Sequence, residues 1–480
     1  MVGTSQPNGP SHQPQNFDKT LNCPAPWLLG VRSSREFVTW VVAIAVFTDV
    51  FIYGMVVPIL PQVLKTRVVV PNDQLQQWMS ILLAAYGGAL LIGSPIFGYF
   101  ADRTSSRQAP FLFGLLALGG STVMFWVART LSSLVVARVL QGLSAAVVWT
   151  VGMALIVDTV GQDQAGKAMG YVSMAMTLGT VFGPFLGGVL LSKTGYHSVF
   201  VVAMALIVLD IILRLVMVEH KTASKWVQTP TVEEEGLLGR MEDQERAYEA
   251  ASTNTSKPTP HEDTAEPLFS KGSTRIPGII RLLCSGRLLV VLQATVVEAI
   301  AYSSFDTVLP LYVMDIFHWG PMGIGLCFLP LFTPSFTSTY IGAAVDHYGA
   351  RQIAFLGFLL DIPTFLLLQL VTQNTTRDQL TLFILLFLAG LASTLKVVSL
   401  MVEVSRIVEQ REKEIPGIFG KQGGTAQAYG LFNVAWSGGQ VLGPLLAGFL
   451  VDWAGWGTMV SVFAAGSGVT AVVLWVSARG

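Results

Sequence analysis

The chain has 480 residues; 52% are hydrophobic, only 12% are charged, and the net charge is −1. A soluble domain carries about twice that share of charge, which argues against a soluble enzyme, and the lack of a basic excess argues against a nucleic-acid binder. Cys23, Cys284 and Cys327 are too few for a disulfide framework and have no metal-ligand spacing; they read as small apolar residues.

Residues 1–36 are polar and rich in Pro, Gln, Ser and Asn. They are expected to form a disordered cytoplasmic tail. They lack the apolar core of a cleavable signal, so the first membrane helix is expected to be its own insertion signal. Apolar runs follow near 37–60, 78–100, 109–128, 132–157, 167–191 and 198–218. Each approaches or exceeds the roughly 20 residues that span a bilayer. Residues 219–287 then hold 20 of the 59 charges, including Glu233, Glu234 and Glu235. Six more runs lie near 286–312, 320–344, 352–372, 379–403, 425–451 and 456–477. The runs are continuously apolar, without period-2 alternation, so helices are expected rather than a barrel. The expected fold is an all-α membrane protein of 12 transmembrane helices in two pseudo-symmetric six-helix bundles, 37–218 and 286–478, joined by a charged cytoplasmic linker at 219–285.

Orientation follows from Lys and Arg. With both termini cytoplasmic, 21 fall on that side, against Lys65, Arg67, Arg129, Lys193 and Arg377 on the other. Discounting the nine in the linker still leaves 12 against 5, which favours cytoplasmic termini. The sequon at Asn374 then lies outside, in a loop short enough to make glycosylation doubtful; that at Asn254 lies in the linker.

The halves repeat. GYFADRTSSR carries Gly98, Asp102, Arg103 and Arg107, and GAAVDHYGAR carries Gly342, Asp346 and Arg351. Gly183-Pro184 recurs as Gly443-Pro444, and Leu60-Pro61 as Leu309-Pro310. Duplicated six-helix units are characteristic of secondary transporters that bind cargo between the halves. The acid–base loop motif is expected to latch one conformation, with Asp102 capping the next helix or pairing with Arg107. Gly179, Gly183, Pro184, Gly187 and Gly188 form GxxxGPxxGG, which lets helices pack closely and bends one.

Ionisable residues inside apolar runs are costly and point to function. The acids are Asp49, Asp210, Glu298, Asp306, Asp361 and Glu403; the bases are Arg138, Arg214 and Lys396; Asp158 sits nearer a helix end. Buried carboxylates favour their neutral form, so part of this set is expected to carry protons. Asp210 and Arg214 are four apart and are expected to neutralise each other. Lys396 and Glu403 are seven apart and could pair across two turns. Asp361 precedes Ile362-Pro363, where a break or kink is expected. The expected proton and substrate coupling set is Asp49, Arg138, Asp306 and Glu298. Tyr53, Gln141, Trp149, Tyr302, Lys396, Asn433 and Trp436 are candidate cavity residues, with Phe432 a further aromatic, the rings able to hold an organic cation.

These residues resemble the major facilitator superfamily. GYFADRTSSR looks like its loop signature after the second helix; RVLQG and GTVFGPFLGG look like signatures of its twelve-helix drug:proton antiporters. FTDVFIYGMVVPILPQVL is similar to the first helix of vesicular amine transporters and their fungal relatives. The resemblance implies that Asp49 recognises a substrate amine, that Asp306 matches an acid of the seventh helix, usually Glu, and that Arg138 is the buried Arg of the fourth. Ser105 replaces a usual Gly, Asn433 stands where the amine transporters carry Asp, and Ser393 or Thr394 where they carry a tenth-helix Asp. The expected function is proton-coupled antiport exporting a small organic, cationic or amphipathic molecule, such as a drug or natural product. No cofactor or metal is expected beyond the proton gradient, and the expected state is a monomer in the plasma membrane, with vacuolar or vesicular membranes as alternatives. Rival readings are a nutrient or amine uptake transporter and a non-transporting membrane sensor. An enzyme is disfavoured, since no metal cluster or nucleophile–base pair appears among the scattered histidines.

Overall fold

In the computed structural model the described residues are 29–103, 108–160, 162–218, 285–414 and 425–477. Eleven helical runs among them are long and apolar enough to cross a bilayer. The last of these lies within Thr425–Ser477, which is two helices: Gly455 interrupts it at φ 82°, ψ 174°, a left-handed φ that glycine adopts without a Cβ clash. Twelve spanning helices result, as the hydropathy predicts.

In chain order these are α1 (Arg35–Val63), α2 (Leu75–Arg103) and α3 (Gln108–Val127). α4 (Leu131–Val147) runs on through a π-helical stretch, Val148–Gly152, into Met153–Val160. α5 (Gln162–Thr194) and α6 (Tyr196–Val216) complete the first half. The second half holds α7 (Gly286–Phe317) and α8 (Pro321–Phe332). α8 continues through a 3₁₀ turn, Thr333–Thr337, to Ser338–Tyr348. α9 (Ala350–Leu368), α10 (Thr376–Glu414), α11 (425–454) and α12 (456–477) follow. α10 continues well past the apolar run, so the loop expected at 404–424 begins as helix. At Asp361, of the two expected outcomes, a break is absent: α9 stays helical through Pro363.

Close packing comes from small residues. A methyl on Gly179, Gly183 or Gly187 would meet the α1 backbone at Phe47, Phe51 and Met55, one helical turn apart, at 2.6–3.0 Å. A lipid-facing surface offers no hydrophobic drive for helix pairing, so this backbone approach supplies the dispersion contact. α11 lies on α7 in the same way, with Gly439 and Gly443 against Val296 and Ile300. Gly142 packs α4 on the α2 carbonyl of Tyr86, and Gly390 packs α10 on the α8 carbonyl of Leu331.

The two halves meet through α2 with α11 and α5 with α8. At the end away from the termini, Gly188 abuts Pro321, Gly325 abuts the Pro184 carbonyl, and Gly448 abuts Ser80. Apolar clusters there mix both halves: Val57, Leu83 and Val181 pack with Leu309 and Val313, and Leu311 packs with the first half. At the terminal end each half keeps its own core, one around Val42, Val151 and Ile156 and others around Phe358, Leu400 and Val345. Among the described residues the halves therefore pack together at one end and keep separate cores at the other.

Candidate functional site: buried charge at the interface of the halves

Asp306 on α7 and Tyr53 on α1 join the two halves directly: the Tyr53 hydroxyl donates to Asp306 Oδ2 at 3.0 Å. The Tyr53 ring packs on Tyr86 of α2, centroids 4.6 Å apart. Over its other surroundings lies Arg138 of α4, with its guanidinium carbon 5.6 Å from the Tyr53 centroid. Arg138 is fully buried and donates from Nη1 to Gln141 Oε1 at 2.9 Å. Its Nε and Nη2 have no hydrogen-bond partner among the described residues. A buried guanidinium with two idle donors is expensive. Such cost is tolerated where function needs the charge.

Asp49 lies one turn earlier on α1. It is buried, and neither carboxylate oxygen has a hydrogen-bond partner among the described residues; nor does the Thr48 hydroxyl. Trp149 presents a side-chain hydrogen-bond donor to it, without a well-formed bond, and Asp210 is near enough to interact electrostatically. Trp149 sits in the π-helical stretch of α4, a local distortion often found at functional sites. Asp210 pairs with Arg214 at 3.6 Å along α6, both buried, so the expected mutual neutralisation is present. Tyr302 packs between Phe332 and Trp436, with centroids 5.6 and 5.7 Å away. Asn433 of α11 is exposed.

Lys396 does not pair with Glu403. Its ammonium lies between Asp361 Oδ2, at 2.5 Å, and Glu298 Oε2, and all three side chains are buried. Glu403 instead accepts from Arg351 Nε at 2.6 Å, and Asp346 pairs with Arg406 at 3.2 Å. The seven-residue spacing put Lys396 and Glu403 on one face, but lysine gains more from two carboxylates on neighbouring helices than from one two turns away. Both motif pairs tie α8 and α9 to α10 within the second half. The side chains of the first motif copy, Gly98, Asp102, Arg103 and Arg107, and that of Asp158 lie outside those described. Gly342 has open space around its Cα, unlike the interfacial glycines.

Packing also sets the register between halves. Gly179 sits over the Phe47 carbonyl and Gly439 over that of Val296; Gly183 sits over Phe51 and Gly443 over Ile300. Phe47 to Val296 and Phe51 to Ile300 are each separated by 249 positions, as are the Leu-Pro pairs. The counterpart of Asp49 is thus Glu298. Asp306, on the matching helix, corresponds to Val57.

A model of the Major Facilitator Superfamily matches residues 42–292 and 291–479. The chain is 34% identical over 422 residues to the uncharacterized MFS-type transporter C18.02 of Schizosaccharomyces pombe, covering 88% of this chain and 91% of that one. It is 32% identical over 465 residues to the MFS-type transporter ppzB of Metarhizium rileyi, covering 93% and 96%. A shorter match, 30% over 171 residues, is to the quinolone resistance protein NorA of Staphylococcus aureus, covering 36% of this chain and 42% of that one. In fold it is similar to the nucleoside transporter NupG, with TM-score 0.63 at 12% identity, covering 92% and 98%. The human organic anion transporter MFSD10 gives 0.59 at 16%, covering 92% and 99%. The chain belongs to the major facilitator superfamily, a family of multi-pass membrane transporters rather than enzymes.

Proposed function

We propose that this transporter exports a small organic cation or amphipathic molecule in exchange for protons, working as a monomer without a cofactor. The observation that carries it is the hydrogen bond from Tyr53 to Asp306 across the two halves, beside the buried Arg138. Asp306 can hold that bond, a proton or a cationic cargo, and these compete for the same carboxylate. Binding of one therefore alters the link between halves, as an exchanger's alternating access requires. Asp49 supplies a second carboxylate on α1, free of hydrogen bonds to the described residues. Arg138 stabilises Asp306 when that carboxylate is deprotonated.

The excess of Lys and Arg at the terminal end supports a cytoplasmic position for that end. The separate cores there then correspond to an inward-open state, in which cargo enters from the cytoplasm. Similarity to a quinolone resistance protein supports export of organic molecules. The plasma membrane is the proposed site.

The test is flux in proteoliposomes with an imposed pH gradient, using cationic, neutral and anionic fluorescent compounds. Cation movement against the proton flow, lost when the gradient is collapsed, is expected. Flux that ignores the gradient, or cargo moving with the protons, would overturn the assignment.

A further inference from the structure

The cluster of Glu298, Asp361 and Lys396 has no part in the exchange just described, yet it is the most densely charged buried group in the second half. It joins α7, α9 and α10 at Lys396 and reaches α12 through Ser467, which donates to Asp361 Oδ2 at 3.0 Å. Ser393 of α10 donates to Glu298 Oε1 at 2.5 Å. The ammonium lies 5.0 Å from the Phe358 ring centroid. Two carboxylates and one ammonium leave one excess negative charge in an apolar setting. Hydrogen bonds cover Glu298 Oε1 and Asp361 Oδ2, and the ammonium ion-pairs with Glu298 Oε2; Asp361 Oδ1 has neither among the described residues.

The geometry points to this cluster as a second proton-exchange site, in which Glu298 and Asp361 share one proton around Lys396. One proton makes the cluster neutral, and its loss leaves one negative charge that the ammonium still faces. Neither step needs a counterion from outside, because the lysine stays between the two carboxylates. The other ionisable groups toward this cluster are accounted for. Along α7 lie Tyr302 and Asp306, four and eight residues on. Glu403 of α10 is held by Arg351. Asp49 of α1 belongs to the first half, and among the described membrane residues of α9 and α12 Asp361 is the acid present.

The register strengthens the assignment. Glu298 is the counterpart of Asp49, so the duplicated fold holds a buried carboxylate at the same place twice. In the first half it lacks hydrogen bonds to the described residues; in the second a resident ammonium occupies it. A cargo cation is thereby kept from the second copy, while a proton has an unbonded oxygen to take at the neighbouring Asp361 Oδ1. Glu298, Tyr302 and Asp306 recur every fourth residue on one face of α7, about 6 Å apart along the axis, which links the cluster to the central site. Its part in transport rests on the proton-coupled function above; its existence as a proton site does not.

Infrared difference spectroscopy of the full chain in lipid nanodiscs, titrated with pH, reads carboxyl protonation directly. In an Asp49→Asn/Asp306→Asn background a titrating carboxyl band is expected to persist. Adding Asp361→Asn should remove or shift it, and adding Glu298→Gln instead should do the same. Lys396→Met should move its midpoint to higher pH, since the ammonium favours ionised carboxylates, whereas Lys396→Arg should leave it nearly in place. A titration in which neither Asp361→Asn nor Glu298→Gln alters any carboxyl band of that background would overturn the proposal, even if pH-driven flux in the parent chain were intact.

Discussion

Asp49 and Glu298 occupy the same place in the two halves and meet opposite environments. Glu298 is bonded by Ser393 and paired with Lys396, which also holds Asp361. Asp49 has no hydrogen-bond partner among the described residues and sits beside a π-helical stretch carrying Trp149. The same backbone register thus supports a carboxylate paired with a resident ammonium in one half and a buried carboxylate with no ammonium among the described residues in the other. The difference teaches how a transporter can divide exchange: a carboxylate with a resident ammonium is closed to a second cation and is left with the proton, and a carboxylate without one can take a cation.

The largest expected effect separates these two carboxylates. Lys396→Ala leaves two buried acids without their base and should cost about 3–5 kcal/mol, the range for breaking a buried pair. Asp49→Asn removes a charge that no described residue pairs, and should change stability by less than about 1 kcal/mol or raise it. Melting temperatures in detergent would show the contrast, and equal losses would break it.

Glycine substitutions probe what the halves share. Gly183→Val and its counterpart Gly443→Val both drive a side chain into the backbone of the neighbouring helix. Each should cost about 1–3 kcal/mol by overpacking, with similar shifts in melting temperature. Tyr53→Phe should then have a smaller effect, removing about 1–2 kcal/mol of bonding to a charged acceptor. Its signature is a several-fold change in flux, with the fold intact by circular dichroism. The smallest effect is expected from Arg351→Gln. Its partly exposed pair with Glu403 should contribute about 1 kcal/mol or less, seen as a slight drop in melting temperature.

Much of this architecture was legible in the chain. Continuous apolar runs gave twelve helices, and Gly455 supplies the break between the last two that hydropathy had already placed. GxxxGPxxGG announced close packing, and its glycines do contact α1 turn by turn. Asp210 and Arg214 were readable because their partnership lies within one helix. Lys396 was not, because periodicity reports neighbours on one helix and says nothing of which helix stands opposite. Glu298 and Asp361 lie 98 and 35 positions away, and only packing brings them to one ammonium. The equivalence of Asp49 with Glu298 is legible in the 249-residue offset of the Leu-Pro pairs, whereas Asp306 shares only the helix and not the register. Pro363 does not end α9: a helix packed among neighbours can accommodate proline and continue.

The central claim is that carboxylates at the interface of the halves exchange protons for cargo. It is tested most directly by pH-gradient-driven cation flux through Asp49→Asn in sealed proteoliposomes, at matched protein content. The account predicts that this flux is lost while the variant inserts and folds as the parent does. Full pH-driven flux through Asp49→Asn would contradict it.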